Sequence, residues 1–280
     1  MSTVDQAARI RLGLSSRAEN VTVVRQALSG FADATGLANG SLNDIGTAVT
    51  EACNNASVHA YGGGDGPLDV ELLAWDATMV VTVRDRGVGL ALDDGSPVEF
   101  PSDVDGELAG IGVPSIKALA STARWSEPAG GGTQVEMTFS TGPLAWEGAG
   151  LSDGFREPFA GKPDLLADAI DVAMAPVSVA RRVLPRLLRV MASRAQFSVA
   201  KHAHVQRVAA VVLGAEEASW ISRSVQARMV ADRDLLEVAI GPVSAEDVSR
   251  LTVAAHAIEP KLRTSTERLY DGPPRLVLHL

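Results

Sequence analysis

The 280-residue sequence predicts an α+β fold, a two-layer α/β sandwich followed by a degenerate copy of itself. Three observations carry this. Apolar residues alternate with period two in short runs and recur at spacings of three and four in longer ones, the signatures of strands and amphipathic helices. The runs follow the order β-α-α-β-β-α-β-β through residues 1–142, and the same order recurs in residues 164–280. Between them, residues 143–163 are rich in glycine and proline and read as a linker.

Taken in order, residues 8–14 alternate Ile10, Leu12 and Leu14 against polar or small residues, a half-buried strand. Ser15 and Ser16 offer N-cap oxygens to a helix running to about Thr35, with Val24, Leu28 and Phe31 inward and Gly36 as its C-cap. Ser41, with Asp44 three residues on, is placed to cap the next helix, whose stripe is Leu42, Ile45, Val49, Cys53 and Ala56. Strands are expected at 68–74 and 79–85. Pro114 is tolerated only in a first turn, so a helix begins near Gly112 and runs to about Ala120. Strands at 122–126 and 133–139 complete the first half.

In the second half, a strand at 171–175 precedes helices at 177–195 and 204–215, the first containing Pro185. Strands at 225–230 and 235–240, a helix at 245–257 and strands at 267–270 and 275–280 follow. Matching the apolar patterns offsets the copy by 155 residues in the strand pair (70 to 225) and by 163 in the second helix (45 to 208). Glu51, Asn55 and Asp85 then face Gly214, Ala218 and Ile240, so the copy has lost these polar groups.

Composition narrows the partners. A net charge of −9 argues against direct nucleic-acid or membrane binding, and 46% hydrophobic residues suffice for packed cores. No apolar run reaches the roughly 20 residues that span a bilayer, and the N-terminus lacks the pattern of a signal peptide. A single cysteine, Cys53, excludes an internal disulfide and a cysteine-rich zinc site and fits a reduced, cytoplasmic setting.

Four short motifs carry chemistry. Glu51 and Asn55 stand four apart on one helix, so a carboxylate and an amide share a face where they can orient a hydroxyl and help hold a hydrated divalent cation. Asp85 ends a strand and runs into Arg86-Gly87-Val88-Gly89, where glycines admit a planar ligand and the carboxylate can accept from an exocyclic amine. Gly110-Ile111-Gly112 opens a helix whose free N–H groups and dipole suit a phosphate. Gly132-Thr133 opens a late strand. Each has a plainer reading, as a solvated helix pair, a strand-end turn or a hinge.

In this order the motifs resemble the GHKL ATPase family, which has the Bergerat-type fold and includes gyrase-type ATPases and histidine kinases. The run from Glu51 to Tyr61 is similar to its N box, and the two glycine motifs to its glycine boxes. The compact first half looks most like bacterial anti-sigma-factor serine/threonine protein kinases. The resemblance implies ATP and Mg²⁺ as cofactors and Glu51 as general base. It implies Asn55 as metal ligand and Asp85 as acceptor of the adenine amino group. Gly87 and Gly89 would allow close approach, Gly110, Ile111 and Gly112 would meet the phosphates, and Thr133 would support the adenine. The implied partners are an antagonist of the anti-sigma factor and a sigma factor. Such kinases work as dimers, so the chain would be a homodimer or a pseudo-dimer of its two halves.

The loop at 90–109 holds Asp93, Asp94, Glu99, Asp103, Asp105 and Glu107 and no basic residue. Against phosphates that field is unfavourable unless metal, Arg86 or Lys117 compensates. The alternative function is therefore a nucleotide-dependent sensor without phosphoryl transfer. A histidine-kinase module fits less well, because no phospho-acceptor helix precedes the domain. His59 is expected to pack near the site at the helix end.

Overall fold

Period-two strands facing amphipathic helices build two compact units, Arg11–Glu147 and Gly148–Leu280, the latter together with Met1–Ile10. The structure is a computed structural model and describes residues 7–89, 112–145, 169–216, 219–268 and 273–280. The N-terminal elements are β1 (Ala8–Ser15), α1 (Val21–Thr35), α2 (Asn39–Asn55), β2 (Pro67–Trp75) and β3 (Thr78–Asp85). They are followed by α3 (Gly112–Leu119), β4 (Thr122–Ser126) and β5 (Gln134–Ser140). The sheet runs β1-β2-β3-β5-β4. Its β2–β3, β3–β5 and β4–β5 pairs are antiparallel.

Alternation sets the layers. Leu68, Val70, Leu72 and Ala74 of β2 and Met79, Val81 and Val83 of β3 are buried, while the residues between them are half exposed. The other layer is Val23, Val24, Ala27, Leu28 and Phe31 of α1 with Ile45, Ala48, Val49, Ala52 and Cys53 of α2. Burying side chains of this size is worth about 1.5–3 kcal/mol for each large one. Gly36 ends α1 as expected, in the left-handed region at φ 71° with its N–H on the Ala32 carbonyl.

The helix starts differ from expectation. Neither Ser15 nor Ser16 caps α1. The Asn20 amide donates to the Ser15 carbonyl and hydroxyl at 2.8 and 2.9 Å, and a short 3₁₀ turn, Ala18–Asn20, leads into the helix. Ser16 instead accepts from the Gly66 N–H at 3.1 Å. Helix α2 begins at Asn39, before Ser41, so Asp44 is an exposed residue inside it rather than a capping partner.

The C-terminal elements are β6 (Ile170–Ala175), α4 (Val177–Arg194), α5 (Val199–Leu213), β7 (Val225–Asp232) and β8 (Leu235–Gly241). Then come α6 (Ala245–Ile258), β9 (Arg263–Arg268) and β10 (Pro274–His279). Helix α5 starts earlier than expected because Ser198 caps it, accepting the Lys201 N–H at 3.3 Å. Strand β9 is also earlier, with Tyr270 outside the described residues. Pro185 lies within α4.

The sheet order, β6-β7-β8-β10-β9, is the N-terminal order element for element. Backbone geometry replaces the two sequence offsets. Gly36 and Gln196 (φ 58°) both end a first helix in the left-handed region, and the N–H of the next residue, Leu37 or Phe197, bonds Ala32 or Ala192. That is an offset of 160 (36 to 196), and it superimposes the cores. Val23, Val24, Ala27, Leu28 and Phe31 answer to Val183, Leu184, Leu187, Leu188 and Met191. Ile45, Ala48, Val49, Ala52 and Cys53 answer to Val205, Val208, Ala209, Val212 and Leu213, and every one of these is buried. In the strand pair, Trp75↔Thr78 and Asp232↔Leu235 fix the offset at 157 (75 to 232). The sequence-based offsets missed because valine-rich α5 matches α2 almost as well one turn out of step.

One buried charge in the C-terminal unit is poorly matched. Asp171 is 7% exposed, its Oδ1 has no hydrogen-bond partner among the described residues, and the Arg228 guanidinium stands 3.9 Å away. Burial pushes its carboxyl up to about 6, against the pull of Arg228 and Arg275. A carboxyl raised in the folded state favours folding below its unfolded value, near 4, and loses that contribution as pH rises through the folded one. Asp171→Asn is therefore expected to stabilise the chain by about 1–3 kcal/mol at pH 8 and to change little at pH 4. Urea unfolding at the two pH values checks this, and an equal gain at both would exclude carboxylate ionisation as the cause.

Candidate functional site

Asp85 closes β3 as a carboxylate only 6% exposed. Its Oδ1 accepts the N–H of Gly87 at 2.9 Å and of Thr133 at 3.1 Å, and its own N–H donates to the Thr133 carbonyl at 2.9 Å. No hydrogen bond reaches Oδ2 among the described residues. One oxygen is fixed by two backbone donors, and the other is available to a donor from outside. Thr133 thus serves the site through its backbone, just before β5.

The glycines have particular neighbours. A Cβ on Gly87 would strike the Ala60 carbonyl, and one on Gly132 (φ 84°) would strike the Asp85 carbonyl. Gly87 therefore lets the loop settle onto the end of the α2 helix, where the Val88 N–H donates to the Ala60 carbonyl at 3.0 Å. Gly89 has φ 73° and lies beside the Glu127 carboxylate. Gly112 is the first residue of α3, which packs on α2. Gly110, Ile111 and the six-carboxylate stretch lie outside the described residues.

Helix α2 carries Glu51 and Asn55, both half-buried, and neither side chain has a hydrogen bond or ion pair among the described residues. Beyond Asn55 the helix widens into a π turn, Ala56–Ala60, a distortion that recurs at functional sites. His59 is exposed on this turn rather than packed, and Cys53 is fully buried, its thiol pushed up to about 12 by desolvation. Arg86 forms an exposed pair with Asp69 at 3.2 Å, and Lys117 lies in the last turn of α3.

Tyr61 is the residue that motif reading passed over. Its hydroxyl donates to the Pro67 carbonyl at 2.5 Å and accepts the Arg86 N–H at 2.8 Å. Its ring occupies the space a Cβ on Gly66 would need. An aromatic at a helix end just before a glycine run was the available signal.

No helix among the described residues is long and apolar enough to cross a membrane, and no group of three or more His, Cys, Asp or Glu there could hold a metal ion. A metal at this site would need ligand oxygens from elsewhere, such as phosphates, beside Asn55.

Comparison with known proteins gives three concordant findings. Residues 14–139 match the family described as histidine kinase-like ATPase domain. The chain is 35% identical over 107 residues to a serine-protein kinase RsbW of Listeria monocytogenes, covering 37% of this chain and 68% of that protein. It is 31% identical over 132 residues to an anti-sigma F factor of Pasteuria penetrans, covering 46% of this chain and 88% of that protein. All of this similarity falls on less than half of the chain.

The fit at Gly87 yields a direct expectation. Gly87→Ala drives a methyl into the Ala60 backbone and should destabilise the N-terminal unit by about 1–3 kcal/mol. Chemical denaturation measures this, and a substitution without cost would mean the loop does not rest on the helix end.

Proposed function

We propose, from the premise that this chain belongs to the histidine kinase-like ATPase family, that it is an ATP-binding regulatory serine/threonine kinase acting on an antagonist of an anti-sigma factor. The observation that carries the nucleotide reading is Asp85, with Oδ1 held by two N–H groups and Oδ2 without a donor among the described residues. A carboxylate fixed in this way matches an exocyclic amine such as that of adenine.

ATP and Mg²⁺ fit the residues present. The amide oxygen of Asn55 would ligate the metal, and Oδ2 of Asp85 would accept the adenine amino hydrogen bond. Gly87 and Gly89 form the adenine-side loop, backed by Thr133, while N–H groups at Gly110, Ile111 and Gly112 would face phosphate. When bound, Mg-ATP supplies the transferable phosphoryl group and a cation to offset its charge. Glu51, one helical turn from Asn55, accepts or orients the proton of the partner's Ser or Thr hydroxyl. The second reading, a nucleotide sensor without transfer, is favoured by Arg86, whose guanidinium pairs with Asp69.

The C-terminal unit, residues 164–280 in this reading, is a copy that takes no nucleotide. With the structural offsets, Glu51 answers to Val211, Asn55 to Ala215 and Asp85 to Pro242. Through the β3–β5 and β8–β10 registers Thr133 answers to Pro274. Both prolines lack the N–H that Asp85 and Thr133 use. Trp220, 2% exposed, bridges to Val243 beside Pro242. The N-terminus of α6 is already capped by Ser244, with Glu246 and Asp247 in its first turn, an arrangement hostile to phosphate.

Titration with Mg-ATP should give one site per chain. Asp85→Ala should weaken it about tenfold to a hundredfold, since a hydrogen bond to a charged group is worth about 1.5–3 kcal/mol. Unchanged affinity in that variant would remove the nucleotide reading, and a second site would refute the closed copy. With labelled ATP and the antagonist as acceptor, Glu51→Ala should keep binding and lose transfer. Binding without transfer by the unaltered chain would leave the sensor.

A further inference from the structure

Strands β2 and β3 pair from Trp75↔Thr78 to Leu68↔Asp85, so the next rung would join Pro67 to Arg86. The Asp85 N–H is turned to Thr133 on the β5 side, which leaves the Arg86 N–H on the β2 side, facing Pro67. The direct bond is not made there. The Tyr61 hydroxyl stands between the two, accepting from the Arg86 N–H at 2.8 Å and donating to the Pro67 carbonyl at 2.5 Å. A side chain from the end of the α2 helix has been inserted as a rung of the sheet.

The insertion spreads the ladder by the width of one hydroxyl at the point where β3 ends. Beyond it the chain leaves the sheet and settles on the helix, with the Val88 N–H on the Ala60 carbonyl and Gly87 against Ala60. The Asp85 carboxylate is held from the other side by the Gly87 N–H. Tyr61 is therefore linked to Asp85 through two residues of backbone, and it follows Asn55 on the same helical segment by six positions. Burial raises the Tyr61 hydroxyl above its ordinary value, partly countered by the Arg86 bond, which keeps it a neutral donor and acceptor.

We propose that Tyr61 is a positioning residue, an inserted rung that fixes the Asp85 carboxylate relative to the helix bearing Glu51 and Asn55. The proposal rests on the nucleotide reading of this site. It assigns Tyr61 no contact with the ligand. Its effect passes through the loop and is seen at Oδ2 of Asp85.

Tyr61→Phe keeps the ring beside Gly66 and removes only the hydroxyl. With a fluorescent ATP analogue and Mg²⁺, the variant should bind about threefold to tenfold more weakly, the scale of one or two neutral hydrogen bonds. In an Asp85→Asn background the same change should cost less than about twofold, because the route ends at Asp85. Without nucleotide, the Arg86 amide should exchange hydrogen faster in Tyr61→Phe than in the unaltered chain. Equal affinity, or an equal loss in both backgrounds, would overturn the positioning role while leaving the nucleotide site intact. Unchanged exchange at Arg86 would overturn the inserted rung itself. An unaltered chain that binds no ATP would instead sink the nucleotide reading, and this role with it.

Discussion

Two backbone N–H groups, of Gly87 and Thr133, converge on one oxygen of Asp85, and the arrangement of the N-terminal unit follows from making that possible. A polar oxygen so little exposed is costly to leave without donors. Bringing Thr133 within reach requires β5 beside β3, with Gly132 laid against the Asp85 carbonyl where no side chain fits. Bringing Gly87 within reach requires the chain to turn immediately after the strand, onto the end of the α2 helix. The same constraint that satisfies Oδ1 leaves Oδ2 without a donor among the described residues, and that oxygen is where the proposed nucleotide would attach.

The second unit separates fold from chemistry. Its first two helices bury ten positions matching those of the first unit at one offset, and its strands keep the same order. The layers need apolar residues of roughly the right volume at those positions, which many substitutions satisfy. The proposed nucleotide site would need particular atoms, and there Val211, Ala215, Pro242 and Pro274 stand in place of Glu51, Asn55, Asp85 and Thr133. Proline in place of both members of the Asp85–Thr133 pair removes the donor on each side. One valine or alanine at the helix would have sufficed to empty the face, whereas the two prolines also remove the backbone bond between strand ends.

Much of this was legible in the sequence, for reasons that differ between elements. The strand pair at 68–85 and the start of α3 were readable because period-two alternation and Pro114 each admit few alternatives. Helix starts were less so. Ser15, Ser16 and Ser41 are good caps in isolation, but Ser15 and Ser16 are claimed by Asn20 and Gly66, contacts reaching up to fifty residues along the chain. At the candidate site the local geometry of two residues was not legible. Gly87 makes room for Ala60, and Thr133 contributes its backbone, because motif spacing carries no information about which neighbour presses on a glycine. Tyr61 was visible only as the end of a run, since its partners lie at the start of β2 and just past the end of β3.

The two units also differ in how much chain joins their third strand to their third helix. Between β3 and α3 lie residues 86–111, and between β8 and α6 only residues 242–244. Residues 242–244 are each committed: the Pro242 carbonyl accepts from Ile221, the Val243 N–H donates to the Pro274 carbonyl, and Ser244 caps α6, so a change of length there breaks a bond. Between Gly89 and Gly112 a change of length alters the spacing of the two glycine motifs and leaves the β2–β3 and β3–β5 registers as they are.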